Sequence, residues 1–121
     1  AKSFGFKGDV QVLKSVLDQL NLKIDLLHPD SSTEDLVTLL ISKDYTAENL
    51  HIVLGCETVQ FSYILKMLKK YFIDLSAVGI ERSKCVYSRN NELMTGNNLH
   101  GKHPKGVKKQ EEIDKIIGQL R

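Results

Sequence analysis

The chain has 121 residues, 41% of them hydrophobic and 26% charged, with two prolines, which fits one domain able to bury a core and excludes extended disorder. Its 17 Lys and Arg against 15 Asp and Glu leave a net charge of +2, too small an excess to mark a nucleic-acid binder by itself. Residues 1–79 carry 8 Lys/Arg against 10 Asp/Glu and residues 80–121 carry 9 against 5, about −2 and +4, so a polyanion would meet the C-terminal third first.

Asp9 can cap a helix over residues 9–21, in which Val10, Leu13, Leu17 and Leu20 fall at helical spacing. The run Leu22-Lys-Ile24-Asp-Leu26 alternates apolar and polar residues and reads as a short strand before the turn composition His-Pro-Asp-Ser-Ser. Ser32 and Asp35 resemble a capping box ahead of Leu36 to Ile41, whose apolar residues occupy more than one stripe and predict a helix buried on two sides. Next, Thr46 can cap a helix that ends at Gly55, and a further helix would run to about Phe72 with Phe61, Ile64, Leu65 and Leu68 along one stripe. Ala77-Val-Gly-Ile80, Lys84 to Ser88 and Glu92-Leu-Met94 flank Arg89-Asn90-Asn91 with the signals of a β-hairpin, since two asparagines tolerate the positive φ of a tight turn. Thr95 to Gly106 is a polar loop, the segment expected to be most mobile, and Ile113, Ile116, Ile117 and Leu120 define a closing helix.

The stretch from Thr46 to Leu68, with Leu50, Leu54, Gly55, Phe61 and Ile64 at the offsets that hold two helices around a tight turn, resembles a helix-turn-helix. With a hairpin following at residues 80–94, the order is similar to winged helix-turn-helix DNA-binding domains, the resemblance covering about 23 of the 121 residues. It implies a mainly α fold with a β-hairpin, in which a three-helix core is flanked by N- and C-terminal helices. It further implies a regulatory, non-catalytic protein bound to duplex DNA. Lys66, Lys70, Arg82, Lys84 and Arg89 would then hold phosphates, while Gln60, Ser62 and Tyr63 would supply base discrimination.

Two other readings stay open. The face carrying Val59, Tyr63 and Met67 is apolar and suits a protein contact, with a partner or a second copy of the chain. Alternatively Leu50 to Leu54 is a strand, because Ile and Val are β-branched and so short an apolar run has no diagnostic period, which gives an α/β protein with a small sheet. In that arrangement Cys56 lies at a strand's carboxyl end before a helix, the usual edge of a ligand crevice, and a small enzyme becomes conceivable.

No signature of catalysis accompanies these readings. The sequence holds no Gly-x-Ser-x-Gly elbow and no phosphate-cradling Gly-rich loop. His100 and His103 place two imidazoles three residues apart without a neighbouring acid or cysteine, so neither a metal nor a cofactor is expected. Two cysteines in a domain with a good apolar core point to a reducing compartment. With no run of about 20 apolar residues and no apolar segment near the first residue, a cytoplasmic protein without a membrane span is expected. The opening at Ala, not Met, suggests a processed product or a piece of something longer.

Overall fold

The computed structural model describes residues 2–99 and 106–120; the segment containing His100 and His103 lies outside them. Among the described residues the fold is mainly helical with a small β element. The elements are α1 (Val10–Ile24), α2 (Thr33–Ile41), β1 (Ile52–Val53), α3 (Thr58–Leu68), α4 (Ala77–Ser83), β2 (Val86–Tyr87), α5 (Gly96–Leu99) and α6 (Gln110–Ile117).

Local chemistry starts the helices where the sequence predicts. Asp9 accepts from the N–H groups of Gln11 and Val12 at the head of α1, and Ser32 accepts from Asp35 N–H at the head of α2. Each satisfies donors that the helix leaves unpaired. One continuous core receives Leu13, Leu17 and Leu20 from α1, Leu36, Leu39 and Leu40 from α2, Phe61, Ile64 and Leu68 from α3, and Ile113 and Ile117 from α6. An extended N-terminal segment adds Phe4, which is fully buried and stacked on Tyr45 with ring centroids 4.5 Å apart.

Several elements differ from expectation. The helix predicted from Thr46 to Gly55 does not form. Asp44, not Thr46, caps a single 3-10 turn over Tyr45–Ala47, after which Asn49 takes a left-handed φ of 54° that no α-helix accommodates. The chain then extends: Ile52 N–H donates to Cys85 O at 2.7 Å and Leu54 N–H donates to Tyr87 O at 2.9 Å, so β1 and β2 run parallel. The β-branched pair Ile52-Val53 settles into a ladder supplied by residues more than thirty positions away.

The strand predicted at residues 22–26 is also displaced. α1 continues through Ile24, Asp25 turns the chain at φ 53°, and only then do Leu26 to His28 extend. Leu27 bridges Leu54 antiparallel, with His28 N–H on Val53 O at 2.9 Å and Gly55 N–H on Leu26 O at 3.0 Å. Gly55 is required by this approach and not by a left-handed turn, because a Cβ there would stand 2.5 Å from Asp25 O and 2.7 Å from Leu27 O. The helix predicted to reach Phe72 ends at Leu68 and tightens into a 3-10 turn over Lys69–Tyr71.

The chain reversal at Arg89-Asn90-Asn91 forms as predicted. Asn91 N–H donates to Ser88 O and Ser88 N–H to Glu92 O, both at 2.8 Å, Asn91 takes φ 62°, and Tyr87 bridges Leu93 antiparallel. Its predicted flanks differ. Ala77 to Ser83 is helix α4, and Lys84 is that helix's left-handed cap, so Arg82 and Lys84 belong to α4 and not to the hairpin. Thr95 to Gly106, expected to be a loop, includes the short helix α5, whose Gly96 N–H is held by the Glu81 carboxylate and whose Leu99 is buried.

Candidate anion-binding cleft

β1 and β2 point the same way, so their carboxyl ends open side by side. β1 leaves through Gly55 and Cys56 into the amino end of α3, and β2 leaves into the Ser88–Asn91 reversal. In sheets of parallel strands, ligands settle at this end, where loops leave the ladder and backbone groups become available. Three adjoining depressions meet here, of about 370, 440 and 360 Å³, and Arg89 lines all three.

The charged groups around these depressions differ in how fully they are used. Lys108 lies 3.7 Å from the Glu57 carboxylate. Lys109 donates to the carbonyl of Lys23 at 2.8 Å, at the end of α1 where helix carbonyls lack partners and a cation suits the dipole. Glu57 is itself engaged in a capping box with Gln60, whose Oε1 accepts from Glu57 N–H at 3.1 Å. Arg89 is exposed, and it makes no hydrogen bond or ion pair among the described residues. A guanidinium left in that state offers five donors in a planar fork that matches a carboxylate or phosphate edge.

Cys56 lines the same cleft, yet its thiol is no nucleophile at neutral pH. Burial pushes its pKa up to about 12, and the positive charge of Arg89 offsets only a small part of that rise. The site can hold a negative group; its sulfur stays protonated.

The residues proposed from sequence scatter over the surface and interior. Gln60 is buried, and besides closing the capping box its Nε2 donates to Lys108 O at 3.0 Å, fastening the 106–109 segment to α3. Ser62 is also buried and donates to Leu99 O at 2.5 Å, tying α3 to α5. Tyr63 is half-buried, with its hydroxyl on the Asp114 carboxylate of α6; burial first, and that carboxylate second, push the phenol's pKa above its ordinary value. These three therefore fasten elements together. Lys66 and Lys70 are exposed on α3 and the turn after it, Lys70 with its ammonium 5.2 Å from the Tyr71 ring centroid, and Arg82 and Lys84 are exposed on α4. Of the eight, Arg89 and Gln60 line the strand-end cleft, and Arg89 does so with no hydrogen bond or ion pair among the described residues.

Sequence reasoning missed Lys108 and Lys109 as lining residues, although they contribute to the positive C-terminal third. Their position depends on Gln60 and Lys23, partners 48 and 86 residues away, which local pattern does not reveal.

The class so defined is a mainly helical domain bearing a short parallel β-pair with an arginine at its carboxyl end. The chain belongs to the family of unknown function DUF6617, which it matches over residues 1–121. No curated protein and no solved structure matches it. Among the described residues no helix is long and apolar enough to cross a membrane.

Proposed function

We propose that this protein is a non-catalytic binding domain that recognises a phosphate group at Arg89, the phosphodiester backbone of duplex DNA being the source expected from the sequence. One observation carries the reading: just past the carboxyl end of β2 stands an exposed guanidinium that has no partner among the described residues and lines three depressions. The positive balance of residues 80–121 supports it. Residues 46–54 are not α-helical and brace no recognition helix, and Gln60, Ser62 and Tyr63 give their side chains to partners within the molecule. A cytoplasmic setting belongs to the same proposal, supported by two buried, unpaired thiols.

Binding of a labelled short duplex and of inorganic phosphate, each compared between the native chain and Arg89→Ala, tests this reading. Duplex affinity should fall about tenfold between about 50 and about 200 mM salt if two phosphates are contacted, and Arg89→Ala should abolish it. Phosphate binding without duplex binding would assign the site to a small phosphorylated molecule. If neither ligand binds, phosphate recognition is wrong.

A second reading, a protein-contact domain with a partner or a second copy, draws on a different surface from the one read in the sequence. Val59, Tyr63 and Met67 pack against the core, whereas Leu22 on α1 is 88% exposed beside Ile116 of α6. Leu22→Asp should abolish concentration-dependent association in sedimentation if that reading holds, and leave it unchanged if it does not.

A further inference from the structure

One of the three depressions at Arg89 is bordered by two imidazoles as well. His28, Asp30, His51 and Asn91 line it together with Arg89, and all five are exposed. Each ring is held by a hydrogen bond that fixes where its neutral form carries the hydrogen. His28 Nδ1 accepts from Asp30 N–H at 3.1 Å, which leaves the hydrogen on Nε2. The His51 ring is stacked on Tyr87 at a centroid distance of 3.8 Å, and its Nε2 lies 2.8 Å from the Asn91 side-chain oxygen. That oxygen only accepts, so Nε2–H donates and Nδ1 is where a second proton would settle.

Protonation therefore changes the charge of this depression. With both rings neutral, Arg89 and Asp30 cancel. With both rings charged, the same four groups sum to +2. Asp30 Oδ2 stands 3.7 Å from His28 Nδ1 and would absorb much of the charge gained there, so His51 adds most of the unbalanced charge. The adjoining depressions bring Asp25, Glu57, Lys108 and Lys109, of which Glu57 and Lys108 already face each other.

We propose that His51, assisted by His28, makes oxyanion binding at Arg89 strengthen with acidity. The ligand is a tetrahedral oxyanion, whether a phosphate group on a larger molecule or a free ion. This rests on the reading of Arg89 as an anion site and adds its regulation. A second proton on either ring places a cationic neighbour beside the bound anion. By linkage, the bound anion must in turn favour the protonated rings.

Sulfate affinity would be measured by calorimetry at about pH 7.5 and at about pH 5.5 for the native chain, His51→Gln, His28→Gln and the double variant. Sulfate is the suitable probe, because it stays dianionic across this interval whereas phosphate itself titrates. Imidazole titrations followed by NMR with and without sulfate give a readout that needs no substitution. Native affinity should be about tenfold higher at the lower pH, a gain equivalent to one unit in a titration midpoint. His51→Gln should lose most of that gain, and sulfate should raise the native His51 midpoint. Equal native affinity at the two pH values, an unmoved midpoint, or a gain that survives in the double variant would overturn the pH device and leave the Arg89 site standing. No sulfate binding by the native chain at either pH would remove both.

Discussion

The packing side of α3 and the carboxyl end of the β-pair use polar residues in opposite ways. Along α3, Gln60, Ser62 and Tyr63 each give their side chains to another segment of the same molecule, reaching Lys108, Leu99 and Asp114. At the strand ends, Arg89 projects from a well-braced turn and gives its side chain to nothing among the described residues. A polar residue on a helix is informative about ligands only once its internal partners are known, and here one region fastens the molecule while the other leaves a guanidinium unengaged among the described residues.

The largest effect should come from breaking the packing side. Phe61 on α3 is 2% exposed, and Phe61→Ala should cost about 3–5 kcal/mol in denaturant unfolding. A loss below about 1 kcal/mol would mean that α3 is not central to the core. Next comes the seam between the regions: Gly55→Ala would press a methyl against the carbonyls of Asp25 and Leu27, backbone atoms with little room to retreat. About 1–3 kcal/mol should be lost. No loss would contradict the close pairing of residues 26–28 with 53–55.

Ser62→Ala sharpens the comparison by separating stability from binding. Losing a buried hydrogen bond to Leu99 O should cost about 1–3 kcal/mol, measured by the same unfolding, with anion affinity unchanged. A weakened affinity would return Ser62 to the recognition surface.

The smallest effect is electrostatic. Asp18 is held below the usual carboxylate range by its bond to Lys14, then by the Thr33 hydroxyl of α2, and burial opposes both. Because its folded pKa is lowered, the stability it contributes is complete above the ordinary carboxylate range and is lost as pH falls through the folded value. Its side chain is 44% exposed, so screening keeps this below about 1 kcal/mol. Asp18→Asn should lower stability slightly at neutral pH and reduce the acid-induced loss; an unchanged acid limb in unfolding against pH would contradict the assignment.

Where local chemistry decides structure, the sequence was legible. Asp9, Ser32 and the asparagines at 90 and 91 act within three residues of themselves, and their helices and turn stand as predicted. Residues 50–54 are different. Their strand depends on Cys85, Tyr87 and Leu27, and a short apolar run carries no period to distinguish strand from helix. The same cause hid the roles of Ser62 and Tyr63, whose partners lie 37 and 51 residues further on. The reversal that carries Arg89 was legible because turn chemistry is local, whereas the parallel strands beside it were visible only as the alternative strand reading of Leu50 to Leu54.

The most direct test of phosphate recognition at Arg89 is an amide chemical-shift titration of the labelled chain with inorganic phosphate and then with a short duplex. Saturable shifts should cluster at residues 51–57, 88–91 and 106–109 and vanish in Arg89→Ala, whose unfolding free energy should stay within about 0.5 kcal/mol of the native chain. Shifts confined to Lys66, Lys70, Arg82 and Lys84, or undiminished in Arg89→Ala, would contradict the account.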